Sequence, residues 1–268
     1  MFQNISSGLF HALLGAAFLS FLSPSLSASA ADLTGPAFDP ALKGSLSSET
    51  IVIPEALSYD LQAFVLPEDA QLFLVTEAIS SVCRVTVYSR EPGGSFRKEL
   101  SVPGVLGENG LSDHRTAGDR TTPVGLFCMN TPFGQAPAQE GFPSDYMQVS
   151  SSYVWSDLTN TLEDDPNLLL PGERVGTERY AGYYDYVLDM GYNKKAIADK
   201  GGALFLHCNQ NGDSSTSGCV AIDPAAMLQI MKLYGRYGTG HCYIALAPYG
   251  GFGPVYDSFG SNDGLSPQ

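Results

Sequence analysis

Basic residues are scarce. The 268 residues carry 14 Lys and Arg against 28 Asp and Glu, a formal charge of −14. Such a surface repels nucleic-acid phosphates and anionic membranes, which argues against both as partners. Long apolar runs are equally rare. The one that stands out, Leu9–Leu19, is too short for a hydrocarbon layer of about 30 Å, and no later run is long enough to cross a membrane. There is no internal repeat. Histidine occupies only four positions. The pairs His207-Cys208 and His241-Cys242 do not suit one ion, because successive strand residues point to opposite faces. No metal and no cofactor is expected.

What is present begins at the amino terminus. The first 30 residues hold no Lys, Arg, Asp or Glu, and the apolar run is followed by Ala28-Ser29-Ala30. That small-x-small ending reads as a signal peptide over 1–30, which places the chain in the periplasm or outside the cell. Cleavage leaves 268 − 30 = 238 residues, enough for one large core. An oxidising compartment favours paired cysteines, and five of them leave one thiol over. With Cys219 free, the other four allow three connectivities. Cys208 with Cys242 and Cys83 with Cys128 is the favoured one.

Residues 31–70 mix Gly, Pro and Ser with apolar clusters and read as an ordered arm. From Gln71 the pattern becomes short strand-like runs, Leu72–Thr76 and Cys83–Tyr88, broken by Pro92-Gly93-Gly94, which predicts a hairpin opening a β-rich domain. Two Gly-rich stretches, Gly104–Leu111 and Thr116–Phe127, lead into a further strand. Residues 131–182 are loop-heavy, and a long irregular segment in a compact domain is more often a functional lid or insertion than filler. Asp185–Met190 and Ala203–His207 are strands. Asp223 then caps a helix whose apolar face is Met227, Ile230, Met231 and Tyr234, with Gly235 as its stop. His241–Ala247 is a buried strand, and 249–268 is a weakly ordered tail.

The chemistry concentrates in Ala203-Leu204-Phe205-Leu206-His207-Cys208 followed by Thr216-Ser217-Gly218-Cys219-Val220-Ala221. A thiol with pKa near 8.5 is only a few per cent ionised at neutral pH, so a nucleophilic Cys219 needs an imidazole within reach, and His207 is the candidate base. Gly218 permits the turn and Ser217 can satisfy its amides. His241 is either a substitute base or a strand-edge residue, and His114 is a solvated loop residue. Arg115, Arg120 and Arg174 are candidates for gripping a substrate carboxylate, because a guanidinium suits a planar anion. Each also reads as a surface charge. Thr216 and Trp155 complete the candidates for substrate contact.

Taken in order, Thr116–Phe127, His207 and Thr216-Ser217-Gly218-Cys219-Val220-Ala221 resemble the YkuD-type L,D-transpeptidase family of peptidoglycan enzymes, in its Thr-x-Gly-Cys-Val-Ala branch, over roughly 71–248. The resemblance implies a mostly β, sandwich-like domain with minor α, one helix following the nucleophile. It implies that Cys219 attacks a stem-peptide carbonyl beside a terminal D-Ala and that an amine of a neighbouring stem takes the acyl group. By position, His207 is the base, the Cys208 carbonyl orients its imidazole, and the Gly218 and Cys219 amides hold the oxyanion. Three features depart from the family pattern. Ser217 stands where many members have a second histidine, no arginine follows the cysteine, and the His-to-Cys spacing, 219 − 207 = 12, is short. A hydrolase using the same acyl-enzyme and a non-catalytic wall-binding domain are the alternatives.

Overall fold

The computed structural model describes residues 51–259. The expected signal peptide, the arm up to Thr50 and residues 260–268 lie outside the described residues.

Fifteen strands and one α-helix make the described chain mostly β. In order they are β1 (Leu72–Ile79), β2 (Val82–Arg90), β3 (Phe96–Val105), β4 (Leu111–Ser112), β5 (Thr122–Pro123), β6 (Gly125–Cys128), β7 (Asn130–Gly134) and β8 (Met147–Gln148). Then follow β9 (Tyr153–Ser156), β10 (Leu162–Asp164), β11 (Gly172–Glu173), β12 (Val187–Asp189), β13 (Phe205–Cys208), β14 (Val220–Ile222), α1 (Pro224–Tyr237) and β15 (Cys242–Pro248). Ten strands join in one sheet in the order β6-β15-β1-β2-β3-β14-β13-β12-β7-β8, beside a small sheet β10-β9-β11 and the pair β4-β5.

The hairpin expected at the start is present and continues into β3, so β1, β2 and β3 form an antiparallel meander. Alternation along β1 assigns the faces. Leu72 and Leu74 join a core with α1, while Phe73 and Val75 join a second core on the opposite side. The sheet curls, and its concave face holds Met227, Ile230, Met231 and Tyr234 of α1, all fully buried. The helix starts where the sequence places it. The Asp223 carboxylate accepts from the Ala225 amide at 2.8 Å and the Ala226 amide at 3.2 Å, satisfying donors that have no partner within the helix.

The helix does not stop at Gly235. It runs to Tyr237, and Gly238, at φ of +83°, closes it with its amide on the Tyr234 carbonyl at 2.8 Å. Gly235 serves close approach instead, since a side chain there would overlap the Gly141 carbonyl. The second core explains two other segments. From the arm, Phe64 and Ala70 are buried in it. Residues 249–259, expected as a loose tail, contribute Phe252 and Val255, each 1% exposed. Rings at spacings readable as loop here serve as core.

All five cysteines are free, which overturns the expected disulfides. Cys208 lies on β13 and Cys242 on β15, with β1, β2, β3 and β14 between them in the sheet. Cys83 on β2 is likewise separated from Cys128 on β6 by β15 and β1. Hydrogen-bonded strands lie about 4.8 Å apart, so neither pair meets the Cα separation of about 5.5–6 Å that a bridge needs.

Candidate active site

The site is built on the parallel pair β13–β14. Their register aligns His207 with Ala221 and Leu206 with Val220, which carries Cys219 alongside Phe205. The Phe205 amide donates to the Cys219 sulfur at 3.3 Å. Residues two apart on a strand share a face, so His207 and Cys219 face the same side, one diagonal step apart. Such diagonal neighbours lie about 7–8 Å apart at the backbone, and no hydrogen bond joins the two side chains: the Cys219 sulfur contacts the Phe205 amide and the Ala203 carbonyl, and His207 the Cys208 carbonyl. His207 and Cys219 both line one cavity of about 430 Å³. Cys208 points the other way into the core around α1.

The turn before Cys219 is fixed by the two Gly-rich stretches. The Thr122 hydroxyl accepts from the Gly107 amide at 2.9 Å and donates to the Gly218 carbonyl at 2.8 Å. The Thr216 carbonyl accepts from the Glu108 amide at 2.9 Å, and the Thr216 amide donates to the Leu106 carbonyl at the same distance. Within the turn, the Thr216 hydroxyl donates to the Cys219 carbonyl at 2.6 Å and accepts from the Gly218 amide at 3.0 Å. The Gly218 amide, expected to hold an oxyanion, is therefore already engaged. Gly218 itself sits at φ of +137°, where a Cβ would lie 2.7 Å from the Arg115 guanidinium.

Nδ1 of His207 lies 2.9 Å from the Cys208 carbonyl. A carbonyl only accepts, so Nδ1 carries the hydrogen and Nε2 is left with its lone pair. Burial pushes the ring down to about 4, against the pull of the Cys208 and Tyr183 carbonyls and the Asp213 carboxylate. The Cys219 thiol is pushed up to about 12, by burial first and by the Glu173 carboxylate next, with the Phe205 amide and Arg115 opposing. The Cys219 sulfur also lies 3.4 Å from the Ala203 carbonyl as a donor. At neutral pH the resting pair is a neutral thiol beside a neutral imidazole, and Cys219 is only 8% exposed.

Of the other sequence candidates, Ser217, Thr216 and Arg115 line the cavity. Arg115 is 8% exposed, holds the Thr121 carbonyl and Asp119, and keeps a buried Nε with no partner. Arg120 is outside the cavity lining, half-exposed and paired with Glu108 at 2.5 Å. Arg174 is spent on Asp165 at 2.7 Å. Trp155 is not a substrate contact. It is 1% exposed, stacked on Phe133, and its indole N–H donates to Asn160 at 2.7 Å. His241 lies on the surface beside Asp69 at 3.4 Å, which leaves His207 as the ring in the cavity.

Sequence reasoning missed Glu173, Tyr180, Tyr183, Tyr184 and Asp213, which complete the walls together with Arg179. Their one signal was the length of the 131–182 segment, which supplies Glu173, Arg179 and Tyr180. Comparisons with family models, with curated proteins and with solved structures found no match to the chain.

Proposed function

We propose that the chain is a cysteine-dependent acyltransferase of the YkuD L,D-transpeptidase type, exported to the periplasm or beyond and acting on peptidoglycan stem peptides. The observation that carries this reading is the placement of His207 and Cys219 on one face of adjacent parallel strands, lining one cavity, with Nδ1 tethered so that Nε2 holds its lone pair. In the proposed step, Sγ attacks the carbonyl of the stem's terminal peptide bond while its proton passes to Nε2. The C–N bond then breaks and the leaving amine takes that proton, leaving a thioester. Because thiol and imidazole are both neutral at rest, the proton moves as the S–C bond forms and not before. The oxyanion donor is the Cys219 amide, and Arg115, which lines the cavity, is the candidate for a substrate carboxylate. The curled sheet with its single helix fits the mostly β catalytic domain of that family.

A second reading, a wall-binding module, is favoured by one observation, the burial and high pKa of the thiol. Incubation with tetrapeptide stems, read by mass spectrometry, separates the cases. Crosslinked dimers support transfer, and trimmed tripeptides without dimers indicate hydrolysis. A carbapenem adduct absent from native protein, or persisting in Cys219→Ala, refutes the acyl-enzyme.

A further inference from the structure

The Cys219 sulfur rests against the start of β13 and not against the base. It accepts from the Phe205 amide at 3.3 Å and donates to the Ala203 carbonyl at 3.4 Å. Ala203 stands two residues before that amide in a left-handed backbone, at φ of +52°, a conformation that a residue with a Cβ adopts at a cost. An alanine kept there needs something to hold it.

Asn160 does so. Its Oδ1 accepts from the Ala203 amide at 3.1 Å and from the Trp155 indole at 2.7 Å, while Nδ2 donates to the carbonyls of Tyr192 at 2.8 Å and Asn193 at 3.0 Å. Two N–H groups on one side and two carbonyls on the other leave one orientation for the carboxamide. Asn160 is itself left-handed, at φ of +52°, and buried. Gly202 makes room for it, since a Cβ there would overlap the carboxamide oxygen. Asn160 does not line the cavity of Cys219 and His207, but Ala203 does. The carboxamide therefore reaches the site only through the Ala203 backbone.

We infer that Asn160 is a positioning residue for the nucleophile: through the Ala203 amide it aims the Ala203 carbonyl at the thiol and keeps the Cys219 proton away from His207 in the resting site. The anchoring stands apart from the acyl-enzyme of the preceding section; its effect on attack rests on that reading. Attack requires the S–H to leave the carbonyl for Nε2, by rotation about the Cα–Cβ bond between staggered positions. The contact with Ala203 is given up on the way, so it stabilises the resting state and not the transition state. What it secures is a thiol that stays protonated at rest. Oxidants attack the thiolate, so the arrangement protects the sulfur in the oxidising compartment proposed for the chain. It also gives a task to the 131–182 segment, which supplies both Asn160 and Trp155.

The infrared S–H stretch of Cys219 reads the contact directly, isolated in the full chain by subtracting the spectrum of Cys219→Ala. In the parent it is expected at lower wavenumber than an alkanethiol in hydrocarbon, and in Asn160→Ala it is expected to move back towards that free position. A parent band at the free position, or a lowered band unchanged in Asn160→Ala, overturns the inference. Where Asn160→Ala does not fold, Gly202→Ala displaces the carboxamide by overlap and carries the same expectation and the same refutation. The kinetic readout has a sign that damage to the fold would not give. Carbapenem acylation per folded molecule is expected to rise about threefold in either variant, the low end for a hydrogen bond because a thiol is a weak donor. A fall or an unchanged rate overturns the inference. A parent chain that shows the lowered band but forms no adduct sinks the proposed reaction and leaves Asn160 as the anchor of the thiol.

Discussion

Tyr184 meets His207 edge to face, with ring centroids 5.2 Å apart at 73°. The same side chain carries the hydroxyl that reaches Glu173, so one tyrosine touches the candidate base with its ring and the carboxylate with its oxygen. Tyr184→Phe separates these contacts. The ring contact persists while the half-buried carboxylate loses a donor, and stability is expected to fall by about 1–2 kcal/mol, read from urea unfolding.

Stability should also depend on His207 in acid. Its folded-state pKa of about 4 lies below the ordinary 6.5, so the unfolded chain binds the proton more readily between those values. The contribution is complete above the higher value and is lost as pH falls towards the lower one. At about 1.4 kcal/mol per unit the loss totals about 3 kcal/mol. Urea unfolding at about pH 7 and about pH 4.5 should show a smaller acid loss in His207→Gln. The acid limb of Cys219 acylation should likewise fall near pH 4 in place of 6.5.

Gly218→Ala should be severe. The added methyl meets the Thr121 carbonyl at 2.8 Å as well as Arg115, at a backbone angle that side chains rarely adopt. A loss of more than about 2 kcal/mol is expected, with Cys219 reactivity lost in the fraction that stays folded. Thermal unfolding and mass-spectrometric labelling check the two parts.

The cysteines give a direct count. Alkylation in denaturant without reductant should add five labels, since no pair is bridged. Reductant should leave the unfolding midpoint unchanged. Fewer labels would restore a disulfide.

The parts of the fold legible in the sequence were those set by local pattern. β1 announced itself by a short apolar run, β2 by alternation, and α1 by Asp223, Pro224 and a four-residue apolar face. The His207–Cys219 pairing was legible as order along the chain, but its geometry depends on parallel register between β13 and β14, which no local pattern encodes. The same limit explains the misses. Trp155 was read as a contact because an aromatic in a loop-rich stretch has no visible neighbours, and its burial against Phe133 and Phe205 is long-range. Glu173 looked like one acid among many. Only the pairing of β11 with β9 brings it to the cavity wall. Cys208 and Cys242 share a His-Cys motif and face one core, but four strands separate them in the sheet.

The last strand occupies an early place. β15 sits between β6 and β1, parallel to the latter along Leu72–Ala78. Until residues 242–248 are available, that edge of the meander has no mate, and the curl around α1 stays open. Assembly is consequently late and cooperative, governed by contacts between distant parts of the polypeptide. A chain cut short before Cys242 would present a bare, largely apolar strand margin, the kind of surface on which polypeptides aggregate.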